Sequence, residues 1–173
     1  MRGAEAVSPD WVDLLVNQAE LYALYGGLPP AGPLVVRSVH LNHYGPALTL
    51  RVDLPSYPAH PLPAWREAGF DRLQCHLQFL AVERLEMRGW HPPATTVLRV
   101  EEAGRRRVLV TAESASLRLS FEASDSVVAG HLSAFAAGPD GGDGGPRGFL
   151  GKVDSRRFVT LPDLSEKTFY ERL

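Results

Sequence analysis

The sequence predicts an α+β fold: one N-terminal helix packed on a curved, mostly antiparallel β-sheet meander of about eight strands. Three observations lead there. Apolar residues recur with a helical period only near the start, before Gly26-Gly27. From Leu34 to Phe135 the period is two, in runs separated by short turns. No strand–helix–strand rhythm and no internal repeat interrupts that pattern.

Residues 9–25 read as a single helix. Trp11, Leu14, Leu15, Gln18, Leu21, Tyr22 and Tyr25 fall on one face of a 3.6-residue period, with Gln18 as its one polar break. Ser8 suits the N-cap and Pro9 the first helical position. Asp10 and Asp13 lie in the first turn, where the helix dipole favours negative charge. Gly26-Gly27 and Pro29-Pro30 stop the helix, because glycine accepts the left-handed C′ conformation and proline cannot continue.

The strands follow in order. Leu34–Asn42 and Ala47–Leu54 form a hairpin across His43-Tyr44-Gly45-Pro46. In the second run Leu48, Leu50, Val52 and Leu54 face one way and Thr49, Arg51 and Asp53 the other, giving a dry and a wet face. Residues 55–69 form a proline-rich connection, since proline lacks the amide that a ladder needs. Alternation resumes at Phe70: Leu73, Cys75, Leu77 and Phe79 point inward, and Arg72, Gln74, His76 and Gln78 outward. Further runs cover Glu83–Arg88, Thr96–Glu101, Arg106–Ala112, Ser116–Glu122 and Val127–Phe135. Short links between successive strands favour antiparallel neighbours.

A single domain is expected over residues 1–137, a Gly/Pro-rich linker over 138–148, and a C-terminal tail over 149–173, docked or mobile. The chain has 173 residues, with 18 Lys plus Arg against 20 Asp plus Glu. That balance supplies no basic face for phosphates, so no nucleic-acid partner is expected. Cys75 stands alone, which rules out an internal disulfide and a zinc site built from cysteines. No stretch approaches the ~20 apolar residues of a membrane span or the roughly 7–15 of a secretory signal. The expected location is cytoplasmic, without membrane contact.

Chemistry-bearing motifs are sparse. His40 and His43 are three apart in a strand, a spacing that places two ligands together on a helix and not on a sheet. His60, His76, His91 and His131 are scattered. Cys75 lies on the apolar phase, away from its neighbour His76, so the two form no nucleophile–base pair. No Gly-x-Ser-x-Gly elbow is present, and the glycine-rich stretch lacks the Lys-Ser/Thr ending of a phosphate loop. Neither a catalytic residue, a cofactor nor a metal is assigned. Tyr57, His60, Trp65, Trp90 and His91 lie at element ends and are the candidates for partner binding.

The order of signatures carries a resemblance. A Trp-x-x-Leu-Leu start at Trp11 leads to Leu-Tyr-x-Leu-Tyr-Gly over 21–26. Val39-His40-Leu41 and the block from Gly45 to Pro55 follow, then Tyr57-Pro58, His60-Pro61, Pro63, Trp65 and Gly89-Trp90. This resembles the immunity protein 50 family of bacterial polymorphic-toxin systems, over roughly residues 11–135. The resemblance implies a non-enzymatic protein that binds and neutralises a cognate protein toxin. It transfers no catalytic residue, and it leaves the toxin, the contact surface and the oligomeric state open. The alternative is a small enzyme or ligand-binding protein using a histidine-lined pocket on the sheet, with His40, His60 or His91 beside it.

Overall fold

Alternation in the sequence becomes strand in the structure, a computed structural model that describes residues 8–43 and 45–151. Tyr44, the 1–7 segment and the tail from 152 onward, including the two helical turns expected near Ser165–Arg172, lie outside the described residues. Ten strands are present: β1 Leu34–Asn42, β2 Ala47–Asp53, β3 Arg72–Phe79, β4 Glu83–Arg88, β5 Ala94–Thr96, β6 Leu98–Glu102, β7 Arg107–Glu113, β8 Arg118–Ser124, β9 Val127–Phe135 and β10 Arg147–Phe149. Each ladder between them is antiparallel, and helix is a minor component. The fold is α+β on a mostly antiparallel sheet meander, as the period-two runs require.

The strands divide into two sheets, where the sequence reading has one. Six form the order β10-β9-β3-β2-β1-β5 and four the order β4-β8-β7-β6. The run read as one strand over 96–101 splits at Val97. Thr96 pairs with Leu34 in the larger sheet, whereas Leu98 pairs with Ala112 in the smaller. Val97, 47% exposed, is the corner where the chain changes sheet. The inward rows of both sheets share one core. Phe79 of β3 meets Phe121 of β8 edge-on, with ring centroids 5.0 Å apart. Cys75 is fully buried there, and burial pushes its thiol up to about 12, the charge of Asp53 adding to the effect.

The N-terminal helix is not continuous. A short 3-10 turn covers Trp11–Leu14 and α1 covers Ala19–Tyr25. Between them Leu15 is extended (φ −64°, ψ 126°) and bridges Val127 in parallel. The Val16 amide donates to the Val127 carbonyl at 3.0 Å. The Asn17 side chain donates to the Ala129 carbonyl (2.6 Å) and accepts from its amide (3.0 Å), imitating a strand. Pairing with the free edge of β9 thus outweighs helical periodicity, because unpaired edge amides are costly when buried. Gly26 closes α1 in the left-handed conformation (φ 68°), as its sequence position predicts.

Two further departures concern proline- and glycine-rich stretches. The 55–69 connection contains a short helix, α2 Pro63–Glu67, with Pro63 at its start, and Trp65 buried. The 138–148 segment, expected as a linker, lies against the larger sheet. It ends in β10, which pairs with Phe135, Ala134 and Ser133 of β9. A Cβ on Gly148 would stand 2.5 Å from Trp65 Nε1, so this strand approaches α2 only because the residue is glycine.

Candidate functional site

The outward row of the larger sheet is polar in sequence but not solvated. Asp53, Gln74, His76, His131, Ser133 and Arg147 are all buried, Asp53 at 1% exposure. Two bulges build this layer. Between Val36 and Ser38 the β1–β2 register slips, and the extra residue, Arg37, folds onto Asp53 with contacts of 2.6 and 3.0 Å. Between Gln74 and His76 the β3–β9 register slips, and His131 takes a left-handed backbone (φ 47°). Its ring meets His76 edge-on at 4.8 Å between centroids.

Asp143, from the 138–148 segment, closes the layer. Its carboxylate accepts from Arg51 Nη1 (2.6 Å) and Gln74 Nε2 (2.9 Å). Arg147 donates to the Asp143 carbonyl (2.6 Å), to Gln74 Oε1 (2.8 Å) and to Ser133 Oγ (3.0 Å). Arg37 donates to the Gly141 carbonyl at 3.0 Å. Burial alone would raise Asp143, but the Gln74 hydrogen bond and the nearby Arg51, Arg37 and Arg147 hold it below the usual carboxylate range. Burial lowers Arg147 to about 10 despite Asp143. His76 is held down at about 3, first by burial and then by His131, Arg51 and Arg147, so it is neutral at pH 7. Each polar group here answers another, and the layer clamps the 138–148 segment to four strands.

The outward face of the smaller sheet carries no such cover. Across it runs a groove of about 690 Å³ lined by Glu86, Arg88, Thr95, Val97, Arg99, Thr111, Glu113, Arg118 and Ser120. Arg88 stands directly opposite Arg118 in the β4–β8 register. Arg118 pairs with Glu113 at 2.9 Å.

The residues singled out in the sequence fall in separate places. Trp65 is 2% exposed, in the core under β10, and offers no surface to a partner. Tyr57 is half-buried and its hydroxyl is buried without a hydrogen-bond partner. His60 is exposed, borders a recess with Glu20, Leu24 and Leu62, and its amide donates to the Leu24 carbonyl. Trp90 is half-buried against the core, and His91 is exposed with its amide on the Ser116 carbonyl. His40 lies on β1 opposite Thr49, so His40, His60 and His91 line no common pocket. The two histidines that do meet, His76 and His131, were assigned to no site by sequence. Among the described residues no three His, Cys, Asp or Glu side chains gather to hold a metal.

A comparison with known families matches residues 17–130 to immunity protein 50. The chain belongs to that family. No curated protein and no solved structure matches the chain. In this immunity-family chain the matched span takes in α1, β1 to β8 and the start of β9. The groove and its arginines lie wholly inside it, apart from nothing of the 138–148 segment, whose Asp143 and Arg147 lie outside. Arg37, Arg51, Asp53 and Gln74 were not legible as a site, because their partners come from 90 or so residues downstream, as the 92-residue separation of Arg51 and Asp143 shows. The one available signal was the polar phase of β2 and β3.

Proposed function

We propose that the protein is an immunity protein that binds a cognate bacterial protein toxin and neutralises it by direct contact, without catalysis, in the cytoplasm. Membership of the immunity protein 50 family carries this reading. The architecture supports it. A rigid two-sheet body leaves one sheet face open with charged and hydroxyl side chains, the composition of a surface that recognises another protein. No helix of the described chain is long and apolar enough to cross a membrane.

The test is co-expression with the toxin domain encoded beside its gene. Restored growth and a stable co-purifying complex are expected. A toxin that kills equally with and without the protein, with no complex formed, overturns the reading. Within this proposal the exposed His60 and His91, with the half-buried Tyr57 and Trp90, remain contact candidates. Trp65 serves the core.

A further inference from the structure

The groove across the smaller sheet contains an unresolved electrostatic conflict. Its floor is an ordered grid of side chains. One row runs Arg88, Arg118, Glu113 across β4, β8 and β7. The next runs Glu86, Ser120, Thr111, Arg99 across β4, β8, β7 and β6. Like charges directly opposite on neighbouring strands repel, and Arg88 faces Arg118 in register. Glu113 answers Arg118 alone, at 2.9 Å. Elsewhere on this sheet arginines are matched: Arg84 by Glu122 and Arg107 by Glu83. Glu86 adds a second carboxylate to the groove, so three guanidiniums stand against two carboxylates, Glu86 and Glu113.

We infer that this face, centred on Arg88, Arg99 and Arg118, is the surface that takes an acidic segment of the partner toxin. The inference rests on the toxin-binding reading above and names the chemistry of the partner. A carboxylate placed between Arg88 and Arg118 converts their repulsion into two charge-assisted hydrogen bonds. Arg99, on the far strand, offers a second anchor for the same segment. Thr95, Thr111 and Ser120 supply hydroxyls between them, and Val97 a small apolar contact. The Arg88–Arg118 conflict is therefore a feature that costs the free protein stability and is relieved in the complex.

That trade separates a binding role from a structural one. Arg88→Glu removes the repulsion, so the free protein should melt at the same temperature or higher. The same change should weaken binding of the co-expressed toxin domain at least about tenfold. Arg99→Glu should weaken it comparably. Arg105→Glu, on the exposed turn between β6 and β7, makes the same charge change off the groove and should leave affinity within about twofold. Titration calorimetry at low and moderate salt reads all three, and the wild-type affinity should fall with salt. Unchanged or tighter binding by Arg88→Glu and Arg99→Glu overturns the inference while leaving the toxin-binding reading intact. A wild-type protein that neither binds nor protects overturns both. A short single-stranded DNA bound by the wild type and released by Arg88→Glu would assign the face to phosphate and overturn the protein partner.

Discussion

At the scale of single residues, the polar layer turns on two groups whose charge states burial and neighbours decide. His76 has an ordinary value of 6.5 and is held at about 3 in the fold, by burial first and then by His131, Arg51 and Arg147. The unfolded chain takes a proton on this residue below its ordinary value, while the folded protein does not until about pH 3. The stability associated with neutral His76 is thus complete at pH 7 and is lost as pH falls between those two values, at about 1.4 kcal/mol per unit. Asp143 acts in the same direction at lower pH. Its depressed value stabilises the fold above the ordinary carboxylate range, and that contribution goes as pH falls through the folded value. Urea unfolding at pH 7.5 and pH 5 should show a loss of about 2 kcal/mol assignable to His76. His76→Gln should remove that part of the slope, whatever it does to stability at pH 7.5. An unaltered slope would mean that the ring is solvated and titrates normally.

At the scale of elements, the 11–25 region shows where periodicity stops being decisive. Its apolar spacing is truly helical, yet Val16 and Tyr22 are exposed while Leu15 pairs with a strand. The deciding partner, the free edge of β9, lies more than a hundred residues away, as the 112-residue separation of Asn17 and Ala129 shows. Asn17→Ala removes both strand-like hydrogen bonds and leaves the Ala129 amide unanswered. It should cost about 2 kcal/mol in denaturant unfolding. No loss would show that Leu15 and Val16 alone hold the break. The same contrast governs the strands. β1, β2, β4 and β9 begin or end where alternation predicts, because alternation reports the dry core they share. Which sheet each strand joins is not written in that alternation. Thr96 and Leu98 have similar local contexts and pair in different sheets. Likewise Asp53 and Gln74 have the phase of a wet face. Their burial depends on Asp143 and Arg147, which a count of glycines and prolines assigns to a linker.

At the scale of the whole molecule, the question is where the folded unit ends. The family match stops at residue 130 and the sequence reading places the boundary at 137, but the packing runs further. Phe149 is buried, and β10 covers the end of β9. Arg147 lies over the Phe135 ring at 5.0 Å while its guanidinium reaches Gln74 and Ser133. We propose that the cooperative unit extends through at least Leu150, whose amide donates to the Leu132 carbonyl. Removing 138–151 strips Asp143 from Arg51 and Gln74 and takes away Arg147, so a carboxylate, an amide and a guanidinium lose buried partners together. It also uncovers Phe135 and the edge of β9. A chain ending at Ala137 should therefore melt at least about 10 °C below one ending at Gly151. It should also tend to associate through the bared edge. Equal melting temperatures would make the segment an appendage. A large gap would make it part of the scaffold that holds the larger sheet rigid behind the open face of the smaller one.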